Sequence, residues 1–127
     1  MRPVDIFLPS KRRWAGSIAE AHVLLFYQQQ GYRLLVQNGH VGRAEVDLLL
    51  WHPFKKSLLV IEVKYQKQGF EGWEIPERQA RRVFRAARML RPASLMTHEP
   101  ELRLCLVSGC LKYPHIQEVR NILEGWG

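Results

Sequence analysis

Two apolar segments, Ala44–Trp51 and Ser57–Lys64, follow one another with only His52 to Lys56 between them. Both are rich in Val, Ile and Leu and too short for buried helices, so they read as strands. The Pro-containing link makes them a hairpin. Each strand nevertheless carries charge: Glu45 and Asp47 in the first, Glu62 and Lys64 in the second. A charge inside an apolar strand is costly unless something pairs with it. A fold for this chain must therefore bury the hairpin and still accommodate those four residues.

The rest of the chain supplies the cover. Residues 1–15 read as an irregular basic lead containing Lys11, Arg12 and Arg13. A helix follows Gly16, runs to about Tyr27 and ends before Gly31, with Ser17 and Glu20 at capping-box spacing. Tyr32–Asn38 reads as a strand and Asn38-Gly39 as a turn. After the hairpin, residues 66–75 form a loop with two glycines. A long helix is expected from about Pro76 to Arg91, started by Pro76 and stopped by Pro92. Leu102–Val107 reads as a fourth strand and Ile116–Leu123 as a final helix. The order α-β-β-β-α-β-α predicts an α/β domain: a mixed four-stranded sheet flanked by helices.

Size and composition bound the answer. One domain fits 127 residues, and 46% hydrophobic with 24% charged residues is ordinary globular usage. No run of 18 apolar residues is present, which argues against a membrane span. The first residues lack the apolar core of a secretory signal, so a cytoplasmic location is expected. Two cysteines, Cys105 and Cys110, are too few for a disulfide scaffold and lack metal-site spacing. The net charge of +7 points to a polyanionic partner such as nucleic acid.

Residues two apart in a strand share a face, so Glu45 joins Asp47 and Glu62 joins Lys64. With Pro53–Lys56 as the loop, Asp47 lies opposite Glu62 and Glu45 opposite Lys64. Facing carboxylates destabilise a strand pair. A hard divalent cation, Mg²⁺ or Mn²⁺, would compensate, since these ions prefer carboxylate oxygens. Lys64 would sit beside it, placed to hold a water or to stabilise a charged transition state. The alternative is a half-exposed sheet face with cross-strand ion pairs. At about 100° per residue, Glu20 falls on the apolar side of its helix, near Val23 and Tyr27. Either it turns back to cap Ser17, or it is a carboxylate aimed at the sheet.

The second helix carries six arginines between Arg78 and Arg91. Arg81, Arg82, Arg85 and Arg88 fall within about 120° of Arg78. Ala80, Val83, Phe84, Ala87 and Leu90 fill the opposite arc. A row of like charges repels itself, and phosphates would relieve it through the guanidinium fork. The other reading is a solvated helix face. Gln79 lies at the edge of the apolar arc, turned partly towards the sheet.

Glu20, Asp47, the Glu62-Val63-Lys64 run and Gln79 together resemble the PD-(D/E)XK nuclease superfamily. More closely, the chain is similar to the small bacterial YraN-like family of uncharacterised proteins. The segments GSIAEAHVLLFYQQQGYRLLVQN, RAEVDLLLW, LLVIEVKY and ERQARRVFRAARML carry the likeness, over roughly residues 14–107. The resemblance implies a restriction-endonuclease-like fold. It implies Mg²⁺ or Mn²⁺ bound by Asp47, Glu62 and the Val63 carbonyl, with Glu20 supporting the ion through water. It further implies Lys64 as the residue that orients or activates the attacking water. Family members usually carry lysine where Gln79 stands, though other branches of the superfamily use glutamine. The glycine of the familiar G-E-I-D is Ala44 here, and both acids remain.

Two functions compete at this level. One is a Mg²⁺-dependent deoxyribonuclease, with a structure-selective enzyme of DNA repair or recombination as one form of it. The other is a non-catalytic nucleic-acid-binding protein that keeps the fold and uses Lys11, Arg12, Arg13 and the arginine helix. A protein-interaction module built on Trp14, Trp51, Trp73 or Trp126 is a third reading.

Overall fold

The computed structural model describes residues 11–120 and 122–123, with side chains in the first helix from Trp14 onward. The described elements are α1 (Lys11–Gln28), β1 (Arg33–Val41), β2 (Ala44–His52), β3 (Ser57–Gln66), α2 (Glu77–Leu90), β4 (Glu101–Ser108) and β5 (His115–Val119). A short 3₁₀ turn, Ala93–Leu95, lies between α2 and β4. The protein is α/β, with one mixed sheet in the order β1-β2-β3-β4-β5. The β1–β2, β2–β3 and β4–β5 pairs are antiparallel, and β3 runs parallel to β4. The crossover through α2 makes that parallel pair possible.

Each face of the sheet has its own core. Ala19, Val23 and Tyr27 of α1, spaced four apart, pack on Leu48, Leu50, Leu59, Ile61, Cys105 and Val107. Ala80, Val83, Ala86 and Ala87 of α2 pack on Ala44, Val46, Leu49, Val60, Leu102 and Leu104. The small side chains on α2 let that helix lie close to the sheet. β3 is buried from Leu58 to Glu62 and β4 through most of its length because helices cover both faces.

Four expectations are corrected. The expected final helix at Ile116–Leu123 is a strand over His115–Val119, so the sheet has five strands. β4 is buried from Leu102 to Val107 and would otherwise present an unpaired apolar edge, and β5 covers it. The lead is not irregular throughout, because α1 already begins at Lys11. Ser17 is therefore inside the helix and cannot be its N-cap, which removes the capping-box reading of Glu20. Asn38-Gly39 is not a turn: β1 continues to Val41, with Asn38 adopting a left-handed φ of 53° inside the strand.

The hairpin keeps the expected register, with Leu48 opposite Ile61 and His52 opposite Ser57. The tryptophans are divided. Trp51 meets the His98 ring edge-on, Trp73 packs with Phe70, and Trp14 is exposed. Trp126 lies outside the described residues. Cys105 is buried and Cys110 exposed, both free thiols. No helix among the described residues is long and apolar enough to cross a membrane.

Two polar devices fix α1 to the sheet. At its C-terminus, the Tyr32 and Gly31 amides donate to the Tyr27 and Gln28 carbonyls. Gly31 has φ +99°, and a β-carbon there would stand 2.7 Å from His52 Nε2. That nitrogen is itself 3.0 Å from the Gln30 carbonyl, tying the turn to the end of β2. At the other side, the Tyr27 hydroxyl donates to Glu118 Oε2 at 2.6 Å, and Arg103 reaches the same oxygen at 3.3 Å. Burial alone would raise the Glu118 pKa, but the Tyr27 hydroxyl, Arg120 and Arg103 outweigh it and hold it below the usual value.

Stability measurements check this framework. Gly31→Ala should unfold at lower urea, since it combines left-handed strain with a contact on His52. Leu59→Ala, at a fully buried position, should cost about 2–5 kcal/mol. A depressed carboxyl contributes stability above its unfolded pKa that is lost as pH falls. The stability gap between wild type and Glu118→Gln should therefore be open at neutral pH and close as acid protonates Glu118. A gap that does not depend on pH would show that the Glu118 charge is not what stabilises.

Candidate metal and phosphodiester site

The site forms where β2 parts from β3. The last ladder pair of the hairpin at this end is Leu48 with Ile61. At the next residue the Asp47 carboxylate intrudes, and its Oδ2 accepts the Val63 amide at 2.8 Å. A side chain thus takes a hydrogen bond that the strand backbone would otherwise supply. β2 also changes face here. Ala44 and Val46 belong to the α2-side core, but Leu48 and Leu50 belong to the α1-side core. Strict alternation would keep all four on one side.

On β3, alternation is regular. Leu58 and Val60 face α2, so Glu62 and Lys64 follow on that side. A cavity of about 350 Å³ opens there, lined by Arg43, Glu45, Asp47, Glu62, Lys64, Arg78, Gln79 and Arg82 among others. Glu62 is only 6% exposed. Burial first, then the hydrogen bond and the negative charge from Asp47, push its pKa far above the usual carboxylate range. Lys64 and Gln79 act the other way. The Lys64 Nζ stands 3.8 Å from Glu62 Oε1, and Gln79 hydrogen-bonds the same carboxylate. Three carboxylates, Glu45, Asp47 and Glu62, thus line a pocket with an amine, an amide and three guanidinium side chains.

Glu20 is not in that cavity. It is half-buried on α1, where Gln37 of β1 donates to its Oε1 at 3.2 Å. Burial raises its pKa, and the charges of Asp47 and Glu45 add to the rise. It therefore senses the acidic pair electrostatically while α1 packs on the opposite side of the sheet. Among the described residues, no three His, Cys, Asp or Glu side chains are grouped to hold a metal ion.

The arginine row divides by position. Arg78 and Arg82 line both the acidic cavity and a neighbouring one of about 290 Å³, which Arg85 also lines. Arg81 pairs with Glu77 one turn earlier, and Arg88 with Glu99 beyond the helix. Glu99 is a compensating acid that the helix sequence alone does not reveal. The side chains of Lys11, Arg12 and Arg13 lie outside the described residues. Arg43 went unnoticed in the sequence. Its signal was a position beside Gly42 in the β1–β2 turn, two residues ahead of Glu45, at the mouth of the acidic strand.

The donor chemistry suits a hard cation. Asp47 and Glu62 offer only oxygen, and Mg²⁺ is commonly held by one or two carboxylates with substrate phosphates and water completing the shell. A buried carboxylate held beside a second one is otherwise a destabilising arrangement.

The family model described as an uncharacterised protein family, UPF0102, matches residues 19–108. The chain belongs to this family, the YraN-like one whose segments it shares. A UPF0102 protein of Pseudomonas syringae pv. tomato is 41% identical over 64 residues, which is 50% of this chain and 47% of the relative. One of Cytophaga hutchinsonii is 34% identical over 58 residues, 46% of this chain and 50% of the relative. One of Psychromonas ingrahamii is 37% identical over 57 residues, 45% of each. The matches thus span about half the length of these curated relatives.

The carboxyl pair has a measurable cost. A carboxyl whose folded pKa is raised contributes stability that is present below the unfolded pKa and fades as pH rises towards the folded one. In metal-free buffer, Glu62→Gln should therefore melt above wild type at neutral pH. The difference should shrink towards pH 4.5, the unperturbed value for Glu62. Equal melting temperatures across that range would mean that Asp47 and Glu62 do not oppose one another.

Proposed function

We propose that the chain is a divalent-metal-dependent nuclease of the restriction-endonuclease-like superfamily, acting on DNA in the cytoplasm. The observation that carries this reading is the half-buried Asp47 carboxylate beside the buried Glu62 and Lys64, in a cavity rimmed by Arg78 and Arg82. A wall of arginine around an acidic centre suits a phosphodiester: the guanidiniums attract the polyanion and the acids hold its metal. A salt-bridged sheet face would have no need of burial, yet Glu62 is buried.

Asp47 and Glu62, with the Val63 carbonyl, would hold Mg²⁺ or Mn²⁺. Such an ion supplies Lewis acidity at a phosphoryl oxygen and a water of lowered pKa. The Val63 amide keeps the Asp47 carboxylate oriented. Gln79 does the same for Glu62. The Lys64 ammonium orients the attacking water and stabilises negative charge developing on the phosphate. Arg78, Arg82 and Arg85 hold the flanking phosphates in register. Glu20, through its field, would favour a cation at the acidic pair.

Cleavage assays on single-stranded, branched and duplex DNA with Mg²⁺ or Mn²⁺ test the reading. Asp47→Ala and Lys64→Ala should each lower the rate by about 10² or more. Calorimetry should show a Mn²⁺ site that is lost in Glu62→Ala. Arg82→Ala should weaken DNA binding and lower the salt slope by about one. Binding with that salt slope, but without cleavage or a Mn²⁺ site, would instead identify a non-catalytic nucleic-acid-binding protein.

A further inference from the structure

The acidic cavity has neighbours on both sides, and their chemistry differs. Towards the middle of α2 it shares Ala44, Arg78 and Arg82 with the arginine-lined cavity. Towards the loop before α2 it shares Lys64, Pro76 and Gln79 with a third cavity of about 370 Å³. The third is lined by Tyr65, Gln66, Phe70, Trp73 and Glu74 in addition. The three form one groove that passes from guanidiniums, through the carboxylate pair, to aromatic rings.

The aromatic end is built rather than accidental. Phe70 and Trp73 meet edge-to-face at 5.8 Å, and the Trp73 amide donates to the Phe70 carbonyl at 3.0 Å. Both rings are partly buried against the α2-side core, and Ile75 anchors the loop beneath them. Gly69 and Gly72 turn the chain with φ of +99° and +72°. Tyr65 is held by its hydroxyl, which donates to the Gly109 carbonyl at 2.9 Å. Glu74 is an acid at this end, where the other flank carries Arg78, Arg82 and Arg85. The guanidinium end attracts phosphate strongly, whereas at the aromatic end Glu74 offsets the single cation Lys64. A heterocyclic base fits the second environment: its faces stack on aromatic rings, and its amino groups find a carboxylate acceptor.

We propose that this cavity is a subsite for one unpaired base next to the phosphodiester held at Asp47 and Glu62. The proposal rests on the reading of that pair as the cleavage site and names its substrate class: a nucleic acid with a single-stranded segment on one side of the cut. A paired base has both faces covered by its neighbours in the stack and cannot offer one to Trp73 or Phe70. An unpaired base stacks at little cost.

Binding measured in EDTA by fluorescence anisotropy separates this from catalysis. The probes are a labelled single-stranded oligonucleotide and a blunt duplex of the same length. Trp73→Leu keeps apolar packing and removes the ring, whereas Trp73→Tyr keeps a stacking face. Relative to wild type, Trp73→Leu should lose about tenfold in affinity for the single strand and under about twofold for the duplex, with Trp73→Tyr staying close to wild type. Phe70→Leu should shift the same ratio in the same direction. Melting temperatures of the variants exclude unfolding as the cause, and Trp73→Tyr does so independently.

Unchanged single-strand affinity in Trp73→Leu and Phe70→Leu overturns the proposal, as does an equal loss on both probes. If wild type cleaves DNA with metal but the loop variants bind normally, the cleavage reading stands and the base subsite falls. If the single-strand loss appears but no metal cleaves, the subsite stands and the cleavage reading falls.

Discussion

The contact between the Asp47 carboxylate and the Val63 amide organises the molecule's polar centre. It replaces a backbone pairing at the point where β2 leaves β3, and it lets β2 turn over. Downstream of Asp47 the hairpin is a regular, doubly covered ladder. Upstream, Ala44 and Val46 pack beneath α2. The space opened between the strands is where Glu62 can be buried without direct opposition along a ladder. Burial, with the hydrogen bond and charge from Asp47, raises the Glu62 pKa there.

Everything else about the site follows from the cover on the α2 side. Alanines at 80, 86 and 87 let α2 approach the sheet, and that approach brings Gln79 to Glu62 and Arg78 and Arg82 to the cavity wall. The same helix presents Arg85 to the next cavity. The charge surplus is thus sorted by geometry. Some of it is neutralised by Glu77 and Glu99, and some of it lines the cavities beside the acidic residues. On the opposite side, α1 contributes apolar cover and a single acid, Glu20. The Tyr27–Glu118–Arg103 cluster ties that helix to the last strand.

Much of this arrangement was legible in the sequence. Strand periodicity located β2, β3 and β4, and the Pro53–Lys56 link set the hairpin register. The spacing of alanines and arginines divided α2 into two faces. These readings succeed because they depend on local rules: alternation by two, a helical turn of 3.6 residues, and the turn chemistry of proline. The readings that failed depended on partners far away in the chain. Ile116–Leu123 carries no strong local preference, and His115–Val119 became a strand because β4 needed a neighbour. Ser17 and Glu20 have capping spacing, but the helix had already begun at Lys11.

The sequence by itself determined an α/β chain with two acids and a lysine in apolar strands and an arginine-faced helix behind them. The tertiary structure decided which of those charges meet. Asp47, Glu62, Lys64 and Gln79 converge because β2 changes face at Asp47, a departure from strict alternation that no residue pattern announces. Glu20 stays on the far side because α1 packs against the other core. Phe70 and Trp73 adjoin the acids because the loop before α2 folds down beside β3. Local spacing encodes direction along one element. Distance between elements is set by packing, and the chemistry of this site depends on distance.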